Sequence, residues 1–250
     1  DHKRAWREMV TESRFTNQGF GAGVKEMAMA KTDERRATIL AAARTVFVRD
    51  GYPGAKLTDV AAEAGCSVGT LYTYFRDRDD LLAAVLRGAE EEMRHARRVH
   101  GTREGVGGDA SPAAEIAAAN RAYLESYRRN ARVMALLEQV SHVHPGFREM
   151  RVRRARDFVD RNARALAALR DAGAIDAGVD VPMMAAALSA MVSRIAYAAW
   201  VDGMYPDDDA TLERIAAAVD RIWWASLGMA PQGEVAPDGG EDGVTKPGKP

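Results

Sequence analysis

The chain has 250 residues, 47% of them hydrophobic, a formal net charge of −1 and one cysteine. That is enough apolar material for one large or two modest domains, and a single cysteine excludes an intramolecular disulfide framework. The near-neutral balance excludes a uniformly basic surface, so any affinity for phosphate must come from local clustering of cations.

Apolar residues recur at i, i+3 and i+4 along most of the chain, and runs of Val, Ile and Thr with period-two alternation are missing. The fold class is therefore all-α. A lone cysteine and the lack of an apolar run long and charge-free enough to span a bilayer predict a reduced, cytoplasmic setting with no membrane partner.

Residues 1–30 carry no convincing helix or targeting signal and read as a leader, disordered or not native. Val24, Lys25 and Glu26 can be encoded by GTG-AAG-GAG, which contains a ribosome-binding sequence just before Met27 and Met29. The expectation is that translation starts at Met29. The first helix is predicted over 33–50, with Ile39, Leu40, Ala43, Val46 and Phe47 on one side. A second helix follows, placing Leu57, Val60, Ala61 and Ala64 on one stripe. Gly65 stops it, because a glycine just past the last periodic residue suits a left-handed C-terminal cap. Ser67 restarts the chain, since its hydroxyl can accept from the orphan amides of the next helix. In that third helix Leu71 and Phe75 fall on the buried side, and Ser67, Thr70, Thr73 and Tyr74 on or near the outer one. Periodicity leaves Tyr72 open to either side. Two short helices joined by a tight turn form a helix-turn-helix, and small hydroxylated residues on the outer face suit a phosphate backbone.

Asp77 can cap a fourth helix with Asp79 and Asp80 in its first turn, where negative charge meets the positive helix end. It is expected to run to about residue 100. Residues 101–112 are glycine-rich and read as a flexible boundary. Further helices are predicted over 113–130, 132–143, 145–172, 182–201 and 209–227. The tail, 229–250, is Pro, Gly and charge and reads as disordered. The resulting domains are 31–78 for the helix-turn-helix, 79–100 for a connecting helix and 113–228 for a C-terminal helical domain.

The run Ala64-Gly65-Cys66-Ser67-Val68-Gly69-Thr70-Leu71-Tyr72-Thr73-Tyr74-Phe75, followed by Asp77-Arg78-Asp79 and preceded by Phe47 and Gly51-Tyr52, resembles the DNA-binding domain of TetR-family transcriptional regulators. The family pattern is A-G-V-S-x-G-T-L-Y-x-H-F and S-K-E. The resemblance implies a three-helix DNA-binding domain ahead of a helical ligand-binding and dimerisation domain. It also implies that the third helix enters the major groove, with contacts from Val68, Gly69, Thr70, Tyr72 and Tyr74, and Arg78 on a phosphate. This base-facing set lacks Arg, Asn and Gln, the residues that pair bidentately with purines, so direct readout is lean. Lys31, Arg35, Lys56 and Thr58 are expected to add reading or clamping, and Ser67 to lie against the backbone. Ala55 and Lys56 depart from the family, which has Thr or Ser there to cap the second helix; Thr58 is the expected replacement.

For the C-terminal helices the resemblance implies a cavity that receives an effector. Tyr123, Tyr127, Met134, Leu137, Phe158, Met184, Met191 and Tyr197 are its candidate lining; ordinary core is the alternative for each. It also implies a dimer through the last two helices, where Trp200, Ile215, Val219, Ile222 and Trp223 supply a wide apolar face. Two recognition helices then lie about 34–36 Å apart, matched to a pseudo-palindromic operator on double-stranded DNA. His142 and His144 lack companions at ligand spacing, so neither metal nor cofactor is expected.

The resemblance implies a homodimeric regulator, and the expectation is a repressor released by a small apolar or amphipathic effector such as a lipid or acyl-CoA-like molecule. The rivals are a ligandless architectural DNA-binding dimer and an all-α enzyme using the C-terminal cavity. The enzyme is disfavoured because no Ser/His/Asp set, paired carboxylates or phosphate-cradling loop occurs.

Overall fold

The computed structural model describes residues 17–101 and 111–229. Eight helices occupy them: α1 (Asn17–Gly54), α2 (Leu57–Glu63), α3 (Val68–Tyr74), α4 (Arg78–Gly101), α5 (Pro112–Val143), α6 (Pro145–Asp171), α7 (Val181–Trp200) and α8 (Asp209–Ser226). No strand occurs among the described residues, and the fold is all-α. Residues 1–16, 102–110 and 230–250, on which much of the predicted leader, loop and tail falls, lie outside the description.

Three differences from the expected elements have physical causes. Helix α1 starts at Asn17, well before the predicted residue 33. Its early turns hold good helix formers (Ala22, Lys25, Glu26, Met27, Ala28), so helix propensity extends upstream of the predicted start. Helix α5 is continuous where two helices meeting near residue 131 were expected. Asn130 does not break it, because its side-chain amide donates to the Ser126 carbonyl one turn back at 3.0 Å. Helix α7 is long and apolar enough to cross a membrane by length and composition, against the expectation that no segment is. Its Val181, Ala185, Leu188, Val192, Ala196 and Ala199 are buried and it packs on α8, as a core helix does.

The chain divides into two compact units, Asp1–Glu91 with Arg132–Arg151, and Glu92–Ala131 with Val152–Pro250. The first therefore takes in residues 132–151, which had been assigned to the C-terminal domain. At 32 residues and about 1.5 Å per residue, α5 is long enough to contribute to both. In the first unit Ile39, Val46, Phe47, Val60, Leu71, Leu81, Leu82 and Leu86 are almost fully buried. Each such side chain contributes roughly 1.5–3 kcal/mol of transfer free energy. In the second, Leu124, Leu166, Val192, Ala196 and Leu227 hold the equivalent place.

Three helix starts are set by carboxylates. Asp77 Oδ1 accepts from the Asp80 amide at 2.8 Å, while Asp80 Oδ2 accepts from the Arg76 amide at 3.2 Å, so the first turn of α4 is capped reciprocally. Asp180 caps α7 through the Met183 amide and Asp208 caps α8 through the Thr211 amide.

Candidate nucleic-acid interface and ligand cavity

The turn between α2 and α3 is built as its sequence predicts. Gly65 has φ +60°, a conformation that favours glycine. Its amide donates to the Ala62 carbonyl and the Cys66 amide to that of Ala61, which closes α2 with a Schellman pattern. Ser67 Oγ accepts from the Thr70 amide at 3.1 Å and opens α3. A serine cap of this kind is worth about 1 kcal/mol. Leu71 and Phe75 are buried, and this fixes which face of α3 looks outward. On that outer face Ser67, Gly69, Tyr72 and Thr73 are exposed, and Val68, Thr70 and Tyr74 are half-buried. Tyr72 is 56% exposed, which settles the side that periodicity left open.

Gly69 has no role inside the protein that requires glycine. A Cβ there meets nothing nearer than Ser67 Oγ at 3.6 Å, an ordinary contact.

The expected cations divide into two groups. Lys31 and Lys56 are exposed. Arg35 and Arg78 are engaged internally: Arg35 Nη2 donates to the Gly65 carbonyl at 2.9 Å and braces the turn. Arg78 Nη1 donates to the Ala55 carbonyl at 3.3 Å and lies 4.2 Å from the Tyr52 ring centroid. A guanidinium stacked on an aromatic ring and bonded to a carbonyl is a structural brace, so assigning Arg78 to a phosphate alone understates it. Thr58 does not replace the missing cap of α2. Its hydroxyl turns to Asp59 Oδ1 at 3.4 Å, and Lys56 at the cap position makes no side-chain cap bond.

Tyr52 ties these parts together. Gly51, at φ +67°, interrupts the helical geometry of α1 and lets the chain turn. The Tyr52 ring then stacks on Phe47 and meets His144 and Phe147 edge-on. Its hydroxyl donates to Asp79. Burial, reinforced by that bond, pushes the hydroxyl above the usual tyrosine range. His144 is thus a packing residue in this cluster, and His142 pairs with Glu138 at 3.5 Å.

In the second unit, α5, α6 and α8 surround a cavity of about 330 Å³ lined by Ile116, Asn120, Tyr123, Phe158, Leu166 and Trp223 among others. Tyr123 and Phe158, two of the candidates, line it. Their rings stack with centroids 4.5 Å apart, and Tyr127 lies beside Tyr123. The other candidates go elsewhere. Met134 and Leu137 are buried in the first unit. Met191 lines a separate apolar groove with Ile195, Tyr205, Ile215, Val219 and Ile222. Met184 is half-buried outside the cavity lining, and Tyr197 lies under the Arg194 guanidinium at 5.2 Å. Trp223, expected at a dimer face, is buried within the protomer and lines the cavity instead. Trp200 is half-buried.

Sequence reasoning missed Asn120 and Asn162, although a polar residue on an apolar stripe was the available signal. Asn120 Nδ2 donates to Asp220 at 2.9 Å, joining α5 to α8. Asn162 Nδ2 donates to Ser189 at 2.8 Å, joining α6 to α7, and the Tyr123 hydroxyl pairs with Ser193 at 2.9 Å. Burial pushes the Asp220 carboxyl above its ordinary value, against the Asn120 bond and the Arg121 charge. A carboxyl raised in the folded state opposes folding once it ionises, and the penalty vanishes as pH falls below the unfolded-state value. Asp220→Asn is therefore expected to raise Tm at about pH 7.5 and to change it little near pH 3, by thermal denaturation. A lower Tm at the higher pH would contradict this.

Comparison with known proteins places these features. The family model for bacterial regulatory proteins of the tetR family matches residues 39–85, the segment from α1 through the first turns of α4. Among curated proteins, the HTH-type transcriptional regulator YfiR of Bacillus subtilis is 38% identical over 63 residues, 25% of this chain and 31% of its own length. The transcriptional activator FasR of Mycolicibacterium smegmatis is 44% identical over 54 residues, 22% of this chain and 25% of its own. The match thus spans less than a third of either relative. Among solved structures, a Rhodococcus sp. protein described as a TetR-family regulator superposes with TM-score 0.61 at 26% identity, over 76% of this chain and 99% of its own. The fatty acid degradation regulator FadR of Bacillus halodurans shares the fold, with TM-score 0.62 at 15% identity over 78% and 97%.

Proposed function

We propose that this chain, a member of the TetR family of bacterial regulatory proteins, regulates transcription as a cytoplasmic homodimer. It binds a pseudo-palindromic DNA site through α3, and it leaves that site when a small apolar or amphipathic effector enters the cavity of the second unit. The observation that carries the DNA half is the outward row of α3, small and hydroxylated, set on a helix whose inner row is locked by Leu71 and Phe75. Repression relieved by the effector is the mode we favour. The effector must bind the DNA-incompetent state more tightly than the competent one, and α4, whose residues belong to both units, is the element to carry the change. The groove of Met191, Ile195, Ile215 and Ile222 on α7 and α8 supports pairing through these helices. The mostly apolar cavity supports an effector over a purely architectural role.

Tyr72 supplies the test. It is the exposed aromatic on α3, with a hydroxyl able to donate one hydrogen bond to a base or phosphate. On a site selected from genomic fragments, Tyr72→Phe is expected to weaken binding about tenfold and to change binding to random DNA much less, by anisotropy at fixed salt. Equal losses on both DNAs would contradict a base-reading role for α3.

A further inference from the structure

Between its ends α6 carries positive charge that the protein does not neutralise. At those ends Arg151 pairs with Glu138 at 3.4 Å and Arg170 with Asp171 at 3.0 Å. Arg154, Arg161 and Arg164 lie between them, and among the described residues none of the three has an ion pair. With Asp157 they stand at i, i+3, i+7 and i+10, which is one row along the helix. The row meets α4. Arg154 Nη2 donates to Met93 Sδ at 3.6 Å, and Arg94 is the next residue of α4. None of these arginines lines the cavity of α5, α6 and α8.

Arg161 is the centre of the cluster. It is half-buried and makes no hydrogen bond among the described residues, whereas Arg94 and Arg164 are exposed. Burial first, and then the charge of Arg94, push its guanidinium below the usual arginine range; Arg154 and Arg164 add to this, and Asp157 opposes it. A guanidinium cannot relieve such crowding by losing its proton. Arg161 therefore carries a desolvation cost with no partner to return it, together with the repulsion of three like charges, and a bound anion removes both. The charge also sets the class of anion. Four guanidiniums and one carboxylate leave a formal excess of three positive charges, of which a single carboxylate ligand would meet one. A phosphate group carries about −1.5 to −2 and offers three strong acceptor oxygens, which guanidiniums engage in pairs. Two helices meeting at one half-buried group suit a compact anion better than the extended phosphate ladder of a duplex.

We propose that Arg94 of α4 and Arg154, Arg161 and Arg164 of α6 form a binding site for a phosphate or diphosphate group, separate from the DNA-facing helix and from the apolar cavity. This goes beyond the regulatory reading above and does not depend on it. Arg161 is the central contact, and the anion bridges α4 to α6.

Calorimetry and thermal denaturation of the full chain, without divalent metal and at fixed ionic strength, test the site with diphosphate, phosphate, acetate and ADP. Diphosphate is expected to bind about tenfold or more tighter than acetate and to raise Tm, with phosphate between them. ADP separates the two sources of the group: affinity above that of diphosphate marks a group carried on a larger molecule, and affinity at or below it marks the free ion. Arg161→Gln should lose about tenfold or more in diphosphate affinity, while the ligand-free variant melts higher because a crowded, unpaired charge is gone. Arg156→Gln removes the same charge from an exposed position off the row and should change neither quantity much. Equal losses in the two variants reduce the site to diffuse surface charge and overturn the proposal, as does diphosphate binding no tighter than acetate. A ligand-free Arg161→Gln that melts lower makes Arg161 a structural brace and overturns it too. So does a loss of random-duplex binding in Arg161→Gln equal to its loss of diphosphate binding, which assigns the row to nucleic acid. Should Arg161→Gln not fold, Arg164→Gln, at an exposed position of the row, takes its place, with an expected loss of about threefold or more in diphosphate affinity.

Discussion

Gly69→Leu is expected to lose about ten- to a hundredfold in affinity for the preferred DNA site while the protein stays folded. The residue sits in the first turn of α3, exposed, with room for a Cβ inside the protein itself. Glycine is a poor helix former, by roughly 1 kcal/mol against alanine, so nothing in the isolated fold favours it here. If α3 lies in a groove, the missing side chain is what lets the backbone approach. Lifting the helix by a leucine side chain then forfeits at least one base contact, about 1–3 kcal/mol, or roughly ten- to a hundredfold. Gly69→Ala separates the two effects. It should raise Tm slightly through helix propensity and weaken DNA binding by a smaller factor. Opposite signs for stability and binding at one position mark a contact surface; unchanged affinity in both variants would place the N-terminal half of α3 away from DNA.

Phe47→Ala is expected to cost about 3–5 kcal/mol, the range for truncating a buried aromatic residue. Phe47, on α1, is fully buried, and its ring stacks on that of Tyr52, whose centroid is 6.3 Å away at 23°. Removing it leaves a cavity beneath the residue that also holds Arg78, Asp79, His144 and Phe147. Against a typical total of about 5–15 kcal/mol, such a loss brings the first unit close to unfolding. Amide exchange should show protection falling across residues 39–85 under native conditions, with DNA binding lost in proportion. A change below about 1 kcal/mol would mean that the Tyr52 cluster does not hold this unit together.

The helix-turn-helix was legible because each of its signals is local. A stripe of small apolar residues, a glycine stop, a serine start and an aspartate cap act within a turn or two, and each appears at its predicted residue. The inward and outward faces of α3 followed from the same periodicity. What the sequence hid depends on tertiary partners. The family resemblance implied a phosphate contact for Arg78; only the fold brings Tyr52 and the Ala55 carbonyl to it. Met134 and Leu137 were assigned to a ligand cavity because they are large, apolar and on the expected helix, but α5 is long enough to serve both units and these residues lie in the first. Trp223 was placed at a dimer face because it stands on a wide apolar surface. Neighbouring positions on that helix go to different cavities, Ile222 to the groove on α7 and α8 and Trp223 to the space among α5, α6 and α8, a division set by a turn of about 100° per residue.

Whether α3 reads DNA as one of a symmetric pair is tested most directly by footprinting the purified full chain on DNA selected from genomic fragments, at fixed salt. The prediction is one protected segment containing two inverted half-sites about 10–10.5 base pairs apart, or a multiple of that spacing, with protection lost in Gly69→Leu. Protection without inverted symmetry, or protection that Gly69→Leu leaves intact, would contradict it.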